Sequence, residues 1–172
     1  MGLNKITIYT DGAARGNPGR AGWAAVVLQE QNSGEPRVLV EIGGRVENAT
    51  NNQMELQAAI EALKYLKSTP SPLALPLSKG EKEGIKVEIF ADSKYVVLGI
   101  TEWIHNWRKN NWRGANKKRV MNRELWEELF SLAQGLDLKW DYVEGHMDNA
   151  HNNRADEIAT SFADNEPVKL KQ

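Results

Sequence analysis

The chain has 172 residues, no cysteine and a formal net charge of −1. This length suits one domain with a sizeable core, and the lack of cysteine excludes disulfides, zinc–thiolate sites and thiol nucleophiles. With no signal-peptide pattern, no run of 18 apolar residues and a pI near 6.3, we expect a cytoplasmic protein that neither spans a membrane nor coats nucleic acid with its whole surface.

Three strands open the predicted order of elements, because segments rich in β-branched and aromatic residues are separated by glycine-rich or polar turns. They are residues 5–10, 23–28 and 37–46. The short loops between them favour an antiparallel meander. A helix is predicted over 51–67, where apolar residues recur at helical spacing, with Thr50 as its N-cap. Residues 68–84 contain three prolines and two glycines, which predicts a surface loop insertion.

The second half of the sequence alternates strands with helices. The predicted strands are 85–92 and 136–143, and the predicted helices are 93–107 with a boundary at Gly99, 123–135 closed by Gly135, and 153–165. The resulting order, β-β-β-α-β-α-β-α, predicts an α/β domain over residues 1–165 with one layer of sheet and helices packed on it. Residues 166–172 are predicted to form a loose tail.

Four acidic residues stand where acids are poor structural choices. Asp11 and Asp92 end predicted strands, Glu55 lies early in the first long helix, and Asp156 opens the last helix. If strands one and four are parallel neighbours, Asp11 and Asp92 share one edge of the sheet. Carboxylates that meet there repel each other unless cations lie between them, and oxygen ligands favour Mg²⁺ or Mn²⁺. Two such ions roughly 4 Å apart suit phosphodiester cleavage.

Each of these acids also has a purely structural explanation. Asp11 before Gly12 is a common turn residue, Asp92 is a plausible N-cap, and Glu55 and Asp156 suit the positive end of a helix. Only the joint placement of the four favours a metal site.

Residues 103–123, WIHNWRKNNWRGANKKRVMNR, form a basic block with three tryptophans, seven Lys or Arg residues and no acid. The rest of the chain is net acidic and would repel nucleic acid, whereas this block would attract it, although such a run is often only a solvated face. Trp103, Trp107 and Trp112 are all candidate substrate-binding residues. Trp103 and Trp107 share a helix face, which favours buried anchors, so Trp112 is the better candidate for contact with a sugar or base. The cations expected to follow phosphates are Arg108, Lys109, Arg113, Lys117, Lys118, Arg119 and Arg123.

Four motifs, taken in order, resemble those of the type 1 ribonuclease H family, in the bacterial form with a basic protrusion. They are TDGAARGNPGRAG from Thr10, TNNQMELQAAIEAL from Thr50, ADSKYV from Ala91 and VEGHMDNAHNNRADEIA from Val143. The resemblance covers nearly the whole chain outside 68–84 and the C-terminal tail. It implies a monomer with the ribonuclease H-like fold, a five-stranded mixed sheet of three antiparallel and then parallel strands flanked by helices.

The resemblance implies endonucleolytic hydrolysis of the RNA strand of an RNA/DNA hybrid, leaving 5′-phosphate and 3′-hydroxyl ends. By motif match, Asp11, Glu55, Asp92 and Asp156 would bind two Mg²⁺ ions, with Mn²⁺ as a substitute, and His146 would shuttle protons or help the product leave. Metal binding is expected to be weak without substrate, because a substrate phosphate completes the shells of both ions.

The resemblance also assigns contacts to the hybrid, whose RNA strand is distinguished by its 2′-hydroxyl groups. The matched positions are Gly12, Asn17, Asn51 and Asn52 for the substrate, and Thr50 and Asn122 for a pocket that grips a DNA phosphate. Many relatives carry a basic residue two positions before the threonine, whereas this chain has Asn48. The grip on the DNA strand would then be weaker or supplied by Arg45.

Two other functions stay open at this point. One is a non-catalytic hybrid-binding module of the same fold, against which the presence of all four acids argues. The other is an exonuclease or recombinase of the wider superfamily, which the basic, tryptophan-rich block fits poorly.

Overall fold

A mixed sheet is the frame of the fold. The computed structural model describes residues 5–68, 85–145 and 148–172, so the predicted loop after Ser68 lies outside the described residues. Within them the sheet has five strands, which are β1 (Lys5–Gly16), β2 (Gly19–Gln29), β3 (Arg37–Ala49), β4 (Lys86–Ala91) and β5 (Asp137–Tyr142). Their spatial order is β3-β2-β1-β4-β5, antiparallel from β3 to β1 and parallel from β1 to β5. The predicted fold class is confirmed.

Helices cover both faces of this sheet. They are α1 (Asn51–Ser68), α2 (Lys94–Leu98), α3 (Ile104–Lys109), α4 (Arg123–Ala133) and α5 (Ala150–Ala163). Successive side chains of a strand point to opposite faces, and β1 shows the consequence. Ile6 and Ile8 pack in the core under α1 and α4, whereas Tyr9 packs in the core under α5. None of the helices in the described ranges is long and apolar enough to cross a bilayer.

The hairpin of β1 and β2 is longer than predicted. Residues 11–16 and 19–22, expected in a glycine-rich turn, continue the two strands, and only residues 17 and 18 make the turn. Gly22, within the extended part of β2, serves packing: a Cβ there would collide with the Ala159 carbonyl oxygen and lie 2.8 Å from the Ala163 nitrogen on α5. This glycine lets a helix lie directly on the strand.

A continuous helical segment runs from Lys94 to Lys109. Gly99 marks the predicted boundary, since α2 ends at Leu98 and a π-helical turn over Gly99–Trp103 joins it to α3 without interrupting the helical path. A Cβ at Gly99 would collide with the buried ring of Trp126 on α4. The glycine therefore allows close packing. Gly135, by contrast, ends α4 as predicted, with a φ of 78° just beyond the helix.

The C-terminal segment 166–172 is held against β3 and α5, and the expectation of a loose tail is wrong. The Glu41 backbone N–H donates to the Lys171 carbonyl at 2.9 Å, and the Lys171 N–H donates to the Glu41 carboxylate at 2.9 Å. Arg154 on α5 makes two hydrogen bonds to that carboxylate and one to the Lys169 carbonyl. Val168 packs on the core beneath α5. Buried charge and apolar contact together order this segment.

Replacing Glu41 by Gln is expected to lower the free energy of unfolding at pH 7 by about 3 kcal/mol, because it leaves the Arg154 guanidinium without its buried partner. Burial alone would raise the pKa of Glu41, but hydrogen bonds from Arg154 and Lys171 lower it. Its stabilising contribution is therefore present above the unfolded-state pKa and is lost as pH falls through the folded-state pKa. Urea unfolding at pH 7 and pH 3.5 should show the difference between variant and wild type shrinking at the lower pH. Glu35→Gln, in an exposed loop, is the control, and an equal difference at both pH values would contradict the assignment.

Candidate active site

Three carboxylates meet at one edge of the sheet. β1 and β4 pair in parallel with Thr10 beside Ala91, so the residues that follow, Asp11 and Asp92, emerge side by side. Glu55 projects from the second turn of α1. One carboxylate oxygen from each of the three acids lies within 4.8 Å of the others. The predicted meeting of these three acids is confirmed.

The start of α1 is fixed next to β1 by two local features. Thr50 is the predicted N-cap: its hydroxyl accepts from the Gln53 N–H at 3.2 Å, and the Gln53 side chain accepts from the Thr50 N–H at 2.9 Å. Gly12 lies against the Met54 and Glu55 backbone so closely that a Cβ there would collide with the Glu55 nitrogen. The missing side chain at Gly12 thus lets Glu55 reach Asp11.

Burial makes this cluster electrostatically unfavourable. Asp11 and Glu55 are only 3% and 4% exposed, and burial raises the pKa of both carboxyls well above their usual range. The charges of Glu55 and Asp92 raise the pKa of Asp11 further, and the charge of Asp92 raises the pKa of Glu55. The Gly12 N–H donates to Asp11 Oδ1 at 2.8 Å. In the described part of the chain, the buried Glu55 Oε2 has no hydrogen-bond partner.

A hard divalent cation fits this donor set. Three carboxylate groups supply oxygen ligands at short mutual distance, and the buried, unpartnered Oε2 of Glu55 is an oxygen that a cation would satisfy. Positive charge at this point would also remove the repulsion that raises the carboxyl pKa values. Asp11, Glu55 and Asp92 can therefore hold a metal ion.

Asp156 lies beside this group rather than within it. α5 begins at Ala150, three residues earlier than predicted, because the Asn149 side chain caps it by accepting from the backbone N–H groups of His151 and Asn152. Asp156 is consequently in the second turn, where it is exposed, and its negative charge raises the pKa of Asp11 and Glu55. His146, the predicted proton shuttle, lies outside the described residues.

The hairpin turn and the start of α1 also meet near the carboxylates. The Asn17 side-chain oxygen accepts from the Asn51 backbone N–H at 3.0 Å, which ties the β1–β2 turn to α1. Asn51 and Asn52 are exposed in the first turn of the helix. Three predicted substrate-contacting residues thus share one patch, although nothing in the sequence pattern predicted the bond between Asn17 and Asn51.

A cleft of about 610 Å³ separates the start of α1 from the basic block. Its lining includes Gln53 on α1, Asn122, Glu124 and the three arginines Arg113, Arg119 and Arg123. The Arg123 guanidinium also pairs with Glu127 at 2.9 Å. The Asn122 amide donates to the Tyr95 hydroxyl at 3.1 Å, which fixes that side of the cleft. The cleft presents positive charge and amide groups together.

Arg45 does not face this cleft as a free cation. Its Nη1 donates to the carbonyl oxygens of Phe162 and Ala163 at the end of α5, and its Nε and Nη2 donate to the Glu47 carboxylate. Arg45 is engaged within the chain, which favours the first of the two alternatives for the position of Asn48, a weaker grip on the DNA strand, over a contact from Arg45. The C-terminal carbonyls of α5 attract this guanidinium instead.

The tryptophans of the basic block are arranged differently from the prediction. Trp112 is 8% exposed and belongs to the core, whereas Trp103 is 36% exposed. Left-handed backbone at Asn111 and Trp112 (φ 52° and 57°) turns the chain so that the Trp112 ring comes 6.4 Å from that of Trp107. The Arg123 guanidinium then lies 5.3 Å from the Trp112 ring. Of these two residues, Trp103 is therefore the one available for contact and Trp112 is an anchor.

The charged residues of the block are exposed but not equally free. The Arg108 guanidinium stacks over Phe130 of α4 at 4.1 Å. Arg113 donates to the Lys117 carbonyl at 2.9 Å within residues 113–119 of the basic block, which we call the protrusion. The predicted phosphate-following cations that are exposed are Arg108, Lys109, Arg113, Lys117, Lys118, Arg119 and Arg123. They form a basic surface separate from the carboxylates.

Two contributing residues were not predicted. Gln53 completes the cap of α1 and lines the cleft, and its position three residues after Thr50 is a capping-box signal that could have identified it. The Tyr95 hydroxyl accepts from both Asn122 and the Trp126 indole N–H. The sequence does not indicate that Tyr95 accepts these two hydrogen bonds, because Asn122 and Trp126 lie 27 and 31 residues away along the chain.

A family model and individual known proteins are both similar to this chain. The family model described as RNase H matches residues 3–164. Ribonuclease H from Acetivibrio thermocellus is 40% identical over 159 residues, covering 92% of this chain and 94% of the relative. Ribonuclease H from Thermosynechococcus vestitus is 41% identical over 164 residues, covering 95% and 92%.

Solved structures agree in fold. LC9-RNase H1, described as a type 1 RNase H with the type 2 active-site motif, has a TM-score of 0.78 at 23% identity and covers 98% of this chain and 77% of its own. LC11-RNase H1 in complex with an RNA/DNA hybrid has a TM-score of 0.64 at 26% identity, with coverage of 93% and 97%.

Replacing Asp11 by Asn is expected to stabilise the metal-free protein at pH 8 by on the order of 1 kcal/mol, because it removes an ionisable carboxyl group from a buried site beside two other carboxylates. The raised pKa of Asp11 means that the folded state binds more protons than the unfolded state, so stability falls as pH rises through this range. Unfolding in chelator at pH 5 and pH 8 should show the gain at the higher pH, and Mg²⁺ should stabilise the wild type more than the variant. Asp137→Asn, exposed at the opposite end of the sheet, is the control. Destabilisation at pH 8 would contradict the repulsion described above.

Proposed function

The chain belongs to the ribonuclease H family, and from this membership we propose that it cleaves the RNA strand of RNA/DNA hybrids endonucleolytically, leaving 5′-phosphate and 3′-hydroxyl ends. The observation that carries the proposal is the approach of the Asp11, Glu55 and Asp92 carboxylates within 4.8 Å, beside a cleft lined by arginines. The cluster suits phosphodiester chemistry and the cleft suits a polyanion.

The proposed metal ligands are Asp11, Glu55, Asp92 and Asp156. When bound, two Mg²⁺ ions, or Mn²⁺ in their place, supply charge neutralisation and Lewis-acid assistance to the attacking and departing oxygens. Asp11 and Glu55, buried and rigidly held, fix the position of the scissile phosphate through this site. Asp156, exposed on α5, completes the metal site from the solvent side. His146 is proposed to carry a proton to or from the reaction.

Recognition of the RNA strand is proposed for the patch formed by Gly12, Asn17, Asn51 and Asn52. Amide groups and closely approaching backbone can donate to and accept from 2′-hydroxyl groups, which DNA lacks. The bond from Asn51 to Asn17 supports the proposal, because it holds both residues in one place before substrate arrives.

The DNA strand is proposed to lie in the cleft and along the basic block. Arg113, Arg119 and Arg123 supply the positive charge there and Asn122 supplies an amide, which offsets the neutral Asn48. LC11-RNase H1 was solved with an RNA/DNA hybrid, and we propose the same class of ligand for this chain. Trp103 extends the contact surface as an exposed ring beside the protrusion.

A non-catalytic binding module of the same fold is the weaker explanation. Binding alone does not require carboxylates that repel one another in a buried site, and such a cluster would weaken attraction for a polyanion. The burial of Asp11 and Glu55 is instead what a metal-dependent reaction needs.

Incubation with end-labelled RNA/DNA hybrid, duplex DNA, duplex RNA and single-stranded RNA in Mg²⁺ should yield cleavage of the hybrid RNA strand alone. Asp11→Asn should reduce the rate by at least about 10³-fold while binding the hybrid at least as tightly as wild type, because it removes a metal ligand and no phosphate contact. Asp137→Asn serves as the matched control. Cleavage of another substrate, or near wild-type turnover by Asp11→Asn, would refute the proposal.

Replacing Lys117, Lys118 and Arg119 together by Ala should raise the Michaelis constant far more at 150 mM salt than at 20 mM, with turnover largely retained. Each lost phosphate contact should reduce the slope of log affinity against log salt by about 1. The matched control replaces Arg37, Lys67 and Lys86 by Ala. These exposed cations lie at the start of β3, near the end of α1 and at the start of β4, which are the ends of those elements away from the carboxylates. Identical salt profiles for the two triple variants would argue against a role of the protrusion in binding.

A further inference from the structure

A set of contacts on the α5 side of the sheet links three elements near the carboxylates. The Tyr9 ring of β1 stacks on Phe90 of β4 with centroids 5.1 Å apart and an interplanar angle of 15°. The Asn149 amide, at the start of α5, donates to the Tyr9 hydroxyl at 3.2 Å. The His151 ring lies 5.7 Å from the Tyr9 ring. We refer to Tyr9, Phe90 and Asn149 as the latch.

The orientation of the Asn149 amide is determined by its surroundings. Its Oδ1 accepts from the backbone N–H groups of His151 and Asn152 at 3.1 and 3.0 Å, and these groups can only donate. Nδ2 must therefore be the atom that faces Tyr9. One side chain thus both starts α5 and attaches its first turn to β1.

The latch has a defined relation to the carboxylates. Tyr9 lies two residues before Asp11, and Phe90 lies two residues before Asp92. The first turn of α5, which Asn149 holds, precedes Asp156 by less than two turns. The three latch residues therefore lie on the elements that lead to Asp11, Asp92 and Asp156, one residue for each acid. Tyr9 contacts both Phe90 and Asn149.

Asp156 is the acid whose position depends most on such a link. Asp11 and Asp92 are aligned by the backbone pairing of β1 with β4, whereas Asp156 is exposed on a helix that crosses the sheet. The far end of α5 is held by Arg45, through the Phe162 and Ala163 carbonyls. Nearer the acids, Asn149 holds the first turn of α5 against β1, and Arg154 holds the second turn against Glu41 of β3. A shift of the first turn would move Asp156 relative to β1.

We propose that Tyr9 and Asn149 are positioning residues, whose hydrogen bond sets the place of Asp156 relative to Asp11 and Asp92 and thereby the affinity of the site for divalent cations. This inference rests on the proposed function, since it concerns the same carboxylates. Groups that orient ligands from behind influence metal affinity even though they do not touch the ion.

Two single substitutions isolate the bond. Tyr9→Phe removes the hydroxyl and keeps the ring that stacks on Phe90. Asn149→Ser keeps an oxygen that can cap α5, because serine and asparagine are comparable N-caps, but it is too short to reach Tyr9. Tyr65→Phe on α1, ten residues and about 15 Å of helix beyond Glu55, is the control for loss of a tyrosine hydroxyl.

Both variants are expected to need about fivefold more Mg²⁺ for half-maximal hybrid cleavage, because the loss of one hydrogen bond changes an equilibrium by about that factor. Their kcat at saturating Mg²⁺ should stay within about twofold of wild type. The double variant should need no more Mg²⁺ than either single variant, because the two changes remove one interaction. If Asn149 served only to cap α5, Asn149→Ser would need no more Mg²⁺ than wild type.

Two measurements on the protein without substrate complete the test. Amide hydrogen exchange over the first two turns of α5 should be faster in both variants, and Mn²⁺ titration followed by line broadening of the Asp11, Asp92 and Asp156 amide signals should shift to higher Mn²⁺. Wild-type behaviour of both variants in the Mn²⁺ titration, or additive effects in the double variant, would overturn the proposal. If the wild type cleaves no hybrid, the proposed function fails, and the Mn²⁺ titration still decides the role of the latch.

Discussion

The repulsion among three partly or fully buried carboxylates is the constraint on which the rest of this structure depends. Asp11, Glu55 and Asp92 come together although burial and like charge disfavour their ionised forms. Such a group persists only when the backbone holding it is over-determined. Parallel pairing of β1 with β4, the cap of α1 and the bare backbone of Gly12 supply that rigidity. The fold holds like charges together at one edge of the sheet, where a bound cation would reduce their repulsion.

Much of this arrangement could be predicted from the sequence, because it follows from local rules. β-branched and aromatic content, alternation in β5 and helical apolar spacing indicated the strands and helices of the described residues. Thr50 and Gly135 marked helix ends through capping chemistry that acts within a few residues. The order of elements then placed Asp11 and Asp92 at one edge. These successes share a cause, since each depends on the chain within one element or on a general rule of sheet topology.

The failures share a cause as well, since each depends on contacts between distant segments. Gly22 looked like a turn residue, but its role is set by α5 lying on it. Trp112 looked exposed among polar neighbours, but left-handed backbone turns its ring into the core. Arg45 looked available for phosphate, but the end of α5, more than 100 residues later, takes its guanidinium. No pattern within a window of sequence contains this information.

The attachment of residues 166–172 to β3 has a consequence for association between molecules. β3 is an outer strand of the sheet, and such strands carry backbone groups that can pair with a strand from another chain and start aggregation. The Lys171 carbonyl occupies the Glu41 N–H, and the buried Glu41–Arg154 pair keeps the covering segment in place. An ion pair that orders a short segment therefore also covers part of the outer edge of the sheet and leaves fewer backbone groups there for a second chain to pair with.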